Sequence, residues 1–348
     1  MKFLSLGLAA LLLAALGSSA SASRAPLPKV KTRTVPGRVE ALAMDGPRIA
    51  YDVAGSYGSK TRCNAVYVWN VARDTTTRVS GRPTCAADNT STGAGVRELA
   101  LAGGRAAWIV NQGGNSESSD SLYVSDVSRR GERLVASAFR SGDVSGILTG
   151  NWLGGLVGAG TFLALDHWAT DSSGNVTSAK LRRIRPRLTD LAEGPGTMTA
   201  RSTDGRQVAV LRSDETIGLY STHGALLRTV RPNSAIEVAL RGDYLLVLTK
   251  SGTVDVFNSH SGRKLRTWRV AAGAAHLDVS SGLAAYAAGS RMHVVRLTTG
   301  KSVFRARTAG ARITAVQLEP AGVAYAFGRG DRPAKIAFVP LRRLLPRR

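Results

Sequence analysis

Three consecutive residues in a segment read as a loop, Asp166-His167-Trp168, bring a carboxylate, an imidazole and an indole together, with Asp171 and Asn175 close behind. An aromatic group flanked by polar ones suits contact with a sugar or another small polar molecule. Asp166, His167 and Asp171 are therefore candidate binding residues, and Trp168 is read as packing between repeats. Catalytic spacing is missing elsewhere. The histidines at 167, 223, 260, 276 and 293 never fall in an H-x-x-x-H or H-E-x-x-H pattern, so no metal ligand is assigned. In Gly142-Asp143-Val144-Ser145-Gly146 the serine stands one place too late for a nucleophile elbow. Gly300-Lys301-Ser302 ends like a phosphate-binding loop, but Val295 replaces the required first glycine and the segment reads as a hairpin turn. No catalytic residue and no cofactor is expected.

Charge is the next chemical resource. The 348 residues carry 47 Lys and Arg against 24 Asp and Glu, a formal net charge of +23. Thirty-eight of the cations are Arg. Such a surface can meet an anionic polymer or lipid surface, but a GC-rich genome and solubility are the preferred account of it. Nucleic acid is not expected as a partner, because no recognition motif is present. The densest basic run, Lys180-Leu181-Arg182-Arg183-Ile184-Arg185-Pro186-Arg187, reads first as protection of an outer strand against edge pairing.

These residues sit on a repeat. The clearest copy spans 235–270: Ile236 to Leu240 alternates, Arg241-Gly242-Asp243 turns, and Tyr244 to Leu248 forms an apolar strand. Thr253 to Asn258 and Lys264 to Trp268 supply two more strands. Four short strands in roughly forty residues make one blade of a β-propeller. The glycine between the first two strands recurs at Gly46, Gly103, Gly160, Gly205, Gly242, Gly282 and Gly322, with gaps of 57, 57, 45, 37, 40 and 40. The expected fold is all-β, a single seven-bladed propeller of four-stranded blades over 39–345, with a basic tail at 346–348. Within the linker at 23–38, the β-branched run Lys29 to Val35 can add a strand to the last blade and close the ring.

Residues 1–22 read as a signal peptide, with Lys2, an apolar core and Ala20-Ser21-Ala22 as the cleavage site. No later apolar run approaches the ~20 residues of a membrane helix. The mature chain is expected to be secreted or extracytoplasmic, soluble and monomeric. Cys63 and Cys85, the only cysteines, flank the third and fourth strands of the first blade at one rim, which suits a structural disulfide in an exported protein.

The early repeats are longer than the later ones. Their extra residues fall at 55–60, 81–95, 111–121 and 171–175, connections that share one face of an up-and-down blade. Long loops on a rigid scaffold commonly carry binding, which adds Tyr57, Asn111, Asn115 and Asp120 to the candidates. No acidic residue of the innermost strands is expected to recur at a fixed blade position.

Ser251-Gly252-Thr253-Val254-Asp255-Val256-Phe257-Asn258, followed by Ser261 to Trp268, resembles the latter half of a WD40 repeat. Phe257-Asn258 and Trp69-Asn70 stand where that family has Trp-Asp, and its Gly-His pair is missing. The chain is similar to the bacterial secreted WD40-like, TolB-like and PQQ-like propellers. That resemblance implies a seven- or eight-bladed ring and a ligand- or protein-binding role, and it assigns no functional residue. The expected function is a non-catalytic binding or scaffold protein of the cell envelope, with an envelope protein or a polar ligand such as a glycan as partner. The alternative is a propeller hydrolase or lactonase holding a metal in the central channel. A quinone-dependent dehydrogenase ranks third.

Overall fold

The computed structural model describes residues 29–54, 62–81, 84–86, 94–113, 117–129, 131–142, 148–330 and 332–341. Residues 1–22, expected to be a signal peptide, and the tail at 346–348 fall outside them, as do Tyr57 and Asn115. The described chain is built from strands, which run β1 (Lys31–Val35), β2 (Leu42–Asp45), β3 (Arg48–Val53), β4 (Arg62–Asn70), β5 (Thr75–Arg78) and β6 (Thr84–Ala86). Next come β7 (Ala94–Ala102), β8 (Arg105–Gly113), β9 (Glu117–Asp126), β10 (Glu132–Gly142), β11 (Leu148–Ala159), β12 (Phe162–Thr170), β13 (Val176–Ile184) and β14 (Leu188–Glu193). After them follow β15 (Met198–Thr203), β16 (Gln207–Arg212), β17 (Ile217–Ser221), β18 (Leu226–Val230), β19 (Ala235–Arg241), β20 (Tyr244–Thr249), β21 (Thr253–Asn258) and β22 (Lys264–Arg269). The last are β23 (Ala274–Ser280), β24 (Leu283–Ala288), β25 (Arg291–Arg296), β26 (Ser302–Arg307), β27 (Arg312–Glu319), β28 (Gly322–Gly328) and β29 (Ala334–Pro340).

Strands adjacent in sequence pair antiparallel in four-stranded blades, giving an all-β propeller. The sheets β15–β18, β19–β22 and β23–β26 are separate, and β2–β5 carries β6 as an extra partner of β4. The strands β7 to β14 form one continuous sheet, joined where Arg140–Gly142 pairs with Leu148–Gly150. The strands β2, β7, β11, β15, β19, β23 and β27 contact one another in that order, and β27 contacts β2.

The ring is closed by the N-terminal strand. Lys31–Val35 pairs antiparallel with β29, Lys31 opposite Phe338 and Val35 opposite Ala334. The last sheet thus reads β27-β28-β29-β1, combining both ends of the chain. That strand follows from the alternating sequence, which leaves Val35 buried and Lys31 exposed.

The repeated glycine has a conformational cause. Gly46, Gly103, Gly160, Gly205, Gly242 and Gly282 all have φ between +54° and +86°, the left-handed region that a tight turn between the first two strands requires. Gly322 is different. It lies inside β28, where a Cβ would strike the Phe338 ring at 2.4 Å.

The core sits between sheets. Val157, Phe162 and Ala164 of one unit pack on Val208, Val210 and Tyr220 of the next, and Leu99, Leu101 and Trp108 pack on Ala50, Val66 and Val68. Each buried Val, Leu or Phe among them contributes about 1.5–3 kcal/mol. The stacking of units is therefore what stabilises any one of them.

Two expected loops are strands instead. Residues 111–113 continue β8 and 117–121 begin β9, with Asn111 directly opposite Asp120. Asp166, His167 and Trp168 lie within β12, not in a loop. The 171–175 segment is a turn, as its composition implies.

Cys63 and Cys85 occupy directly opposed positions in the β4–β6 pairing. The third strand and the segment after the fourth do meet at one rim.

Candidate functional site

Three of the candidate residues, Asn111, Asp120 and Asp166, gather where β7–β10 abuts β11–β14, at the end of the strands that carries the longer connections. Asp120 is the hub. Its side chain points inward because Ser118, Asp120, Leu122 and Val124 form the buried face of β9. Oδ2 accepts from Arg140 Nη1 at 2.7 Å and from the Leu153 amide at 3.3 Å. Oδ1 accepts from Asn111 Nδ2 at 2.9 Å and lies 3.3 Å from Arg97 Nη1. Asp120 is fully buried and Arg140 nearly so. Every strong acceptor direction of this carboxylate is occupied, so Asn111 and Asp120 hold the blades together and present no free group.

Arg140 also lies 3.9 Å from the centre of the Trp152 ring, a cation–π distance. Trp152 stacks on Trp168 at 4.6 Å with planes 6° apart. Trp168 in turn packs against the cluster of Phe162, Val208 and Val210. The expected packing role of Trp168 fits this contact.

Asp166 lies close by. The space a Cβ would fill at Gly154 is within 3.2 Å of Asp166 Oδ2, 3.5 Å of an Arg97 guanidinium nitrogen and 3.6 Å of Glu98 Oε1. At Gly155, with φ +52°, a Cβ would sit 1.7 Å from Asp166 Oδ1. The Gly154-Gly155 pair therefore makes the room in which two carboxyls and a guanidinium converge. Burial, then the neighbouring Glu98 charge, pushes the Asp166 carboxyl up to about 8. Its Oδ1 accepts the Ala200 amide at 3.1 Å. Asp166 is 1% exposed, so it faces protein and not solvent.

His167 Nδ1 lies 3.2 Å from Arg182 Nη1, and its pKa is lowered by burial and by Arg182. Asp171 stands apart from the cluster on the surface, accepting the Ser173 and Asn175 amides at 2.9 Å each. That is local turn capping.

Sequence reasoning missed the residues that reach the surface here, Arg97 and Glu98. Glu98 Oε2 accepts the Leu156 amide of the next unit at 2.5 Å. The same device recurs. Glu237 accepts the His276 and Leu277 amides at 2.9 and 2.6 Å, and Asp278 accepts the Leu318 amide at 2.6 Å. Bulges at 154/157 and 275/278 release Leu156, His276 and Leu277 from their own ladders, and the neighbouring carboxylate satisfies them. Glu98 and Glu237 both stand five residues before the turn glycine. The expectation that no inner-strand acid recurs is corrected on this point.

The central channel, about 130 Å³, is lined by Arg201, Arg241, Asp278, Gln317 and Glu319 among aliphatic side chains. Both carboxyls are engaged. Asp278 accepts backbone amides, and Glu319 is paired with Arg241. Burial pushes Asp278 up to about 6 and Glu319 up to about 8. Among the described residues, no three His, Cys, Asp or Glu side chains are grouped to hold a metal ion. No described helix is long and apolar enough to cross a membrane.

No protein-family model matches the sequence, and no curated protein matches it. Among solved structures, the chain is similar to the computationally designed Ika8 protein, with 15% identity and a TM-score of 0.49. That similarity spans 88% of this chain and 98% of the other.

Proposed function

We propose that the chain is an exported, non-catalytic binding or scaffold propeller, and that its partner meets the face carrying the longer connections. Counting β7–β10 and β11–β14 as two blades gives a ring of seven, in line with the seven repeat glycines. The closed order of contacts from β2 through β7, β11, β15, β19, β23 and β27 back to β2 supports that count. The observation that carries the functional reading is the buried cluster in which Asp120 accepts from Arg140, Asn111 and the Leu153 amide. It makes this rim a rigid platform from which Arg97 and Glu98 emerge, 35% and 27% exposed in their side chains. The platform is polar, which suits a glycan or a charged protein surface better than an apolar ligand. A channel hydrolase would need carboxylates free to ligate a metal, and Asp278 and Glu319 are already committed to amides and to Arg241.

Secretion belongs to the same reading. It rests on the signal-like residues 1–22 and on the opposed cysteines, whose positions suit a disulfide. Intact mass of the exported protein, with and without reductant, tests the bridge.

The functional test is a glycan array and an envelope-fraction pull-down with the mature chain. Glu117→Ala with Asn151→Ala alters exposed positions on the proposed face, and Thr299→Ala alters the opposite one. Binding should fall at least several-fold in the first variant and persist in the second. Equal retention in both would remove this face from consideration.

A further inference from the structure

We propose that the face of β25–β26 bearing Arg291, Arg305 and Arg307 is a binding site for a phosphate group, with His293 donating from its base. This site is separate from the platform around Asp120 and does not depend on the reading given above. Arg291 stands directly opposite Arg307, and His293 directly opposite Arg305. Residues two apart on a strand share a face, so all four side chains project to one side. They line a concavity of about 250 Å³.

Four features set this surface apart from ordinary basic decoration. Like charges directly opposite across a strand pair destabilise a sheet, and here Arg291 faces Arg307 while Arg305, two residues along, faces an imidazole that burial and the neighbouring arginines disfavour from taking up a proton. Among the described residues no carboxylate pairs with Arg291, Arg305 or Arg307; Arg305 Nε donates only to Ser302 Oγ, at 3.1 Å. His293 is held by stacking on Tyr286, with ring centres 4.9 Å apart, and its Nε2 is buried without a partner. A buried polar atom left unpartnered is costly, and an anion in the concavity would relieve that cost and the repulsion together. Protection of an exposed edge does not account for the arrangement. Arg305 and Arg307 lie on the outermost strand, but Arg291 and His293 lie on the strand inside it.

Phosphate fits better than carboxylate. Three guanidinium forks offer many N–H donors from several directions and three positive charges. A tetrahedral dianion can accept from all of them, whereas a planar monoanion satisfies one fork. The group could be free phosphate or the headgroup of an anionic lipid, and the two are separable by experiment.

The mature chain is titrated by calorimetry with inorganic phosphate, methyl phosphate and acetate. Saturable binding of both phosphates, at least tenfold tighter than acetate, is expected. Arg291→Gln with Arg307→Gln should weaken phosphate binding tenfold or more, without lowering the melting temperature in its absence. Arg73→Gln with Arg228→Gln, an equal change of net charge at exposed positions elsewhere, should leave it unchanged. Vesicles of phosphatidylglycerol and of phosphatidylcholine then distinguish the source. Binding to the former that inorganic phosphate competes away identifies a lipid headgroup, and binding of soluble phosphate alone identifies the free anion. Equal weakening by both double variants, acetate binding as tight as phosphate, or no saturable binding would overturn the proposal. So would vesicle binding that survives Arg291→Gln with Arg307→Gln.

Discussion

Two outer strand pairs of this propeller carry dense positive charge, and they treat it in opposite ways. On β13–β14, Lys180 stands opposite Glu193 and Arg182 opposite Asp190. Lys180 Nζ lies 2.9 Å from Asp190 Oδ2, and Arg182 Nε lies 2.7 Å from Asp190 Oδ1. On β25–β26 the same kind of register places Arg opposite Arg and Arg opposite His. Judged by basic residues alone, Lys180 to Arg187 is the richest anion-binding segment in the chain. The register shows that its first two cations are already answered by the next strand. Charge density along a sequence thus says little about the field a surface presents; cross-strand pairing decides it.

The cluster around Asp120 extends the contrast into the interior, because there the neutralisation is structural. Asp120→Ala should have the largest effect of any substitution considered. It strands the buried Arg140 guanidinium and frees the Leu153 amide. Removing one partner of a buried pair costs about 3–5 kcal/mol, measurable as a lowered urea midpoint. A loss under 1 kcal/mol would show that the cluster does not join the blades.

How much of this was legible beforehand depends on which interaction carried it. The turn glycines were legible because a tight turn demands a left-handed residue, and six of the seven adopt it. The closing strand was legible from β-branched alternation in Lys31 to Val35. Residues 111–121 were not. The inward positions of β9 at that end are Ser118 and Asp120, which look like a loop until Arg140, twenty residues on, is seen to occupy the same interior. Glu98 and Glu237 did leave a signal, an acid five residues before the turn glycine, but its meaning needed the next blade. The uncompensated state of Arg291 and Arg307 depends on a register that no local pattern reveals.

The second effect concerns pH. Asp166 is pushed up to about 8 by burial and by Glu98, with Arg97 and Arg201 opposing that shift. A carboxyl raised in the folded state binds more protons there than in the unfolded chain between about pH 4 and pH 8. Its contribution is therefore present at low pH and lost as pH rises through that window. Asp166→Asn keeps an acceptor for the Ala200 amide and carries no charge, so its melting temperature should exceed that of the parent at pH 8 and approach it at pH 4.5. An unchanged difference across that range would remove Asp166 as the titrating group.

A smaller effect turns the neutralised strand pair into a copy of the open one. Asp190→Asn with Glu193→Gln removes both partners of Lys180, and with them the partner of Arg182. These groups are solvated and screened, so the stability loss should be small. The informative readout is phosphate affinity, which should appear weakly on this edge and be sensitive to Lys180→Gln. No new affinity would mean that freeing the charges is insufficient without a concavity.

The smallest change runs in the other direction. Arg307→Glu places a carboxylate directly opposite Arg291, converting the open pair into the kind of pairing seen between Lys180 and Glu193. Cross-strand pairs of opposite charge are worth roughly 0.2–1 kcal/mol, and a repulsive pair is removed at the same time. The expected result is a slight rise in melting temperature in phosphate-free buffer, diminishing as salt screens the exposed pair. Added phosphate should stabilise the parent and leave this variant unmoved, so the two melting curves should converge as phosphate is raised. Such a crossing separates a surface that merely tolerates repulsion from one that holds it for a ligand. If Arg307→Glu destabilises at low salt, Arg307 has a structural partner in solution and the contrast between the two strand pairs fails.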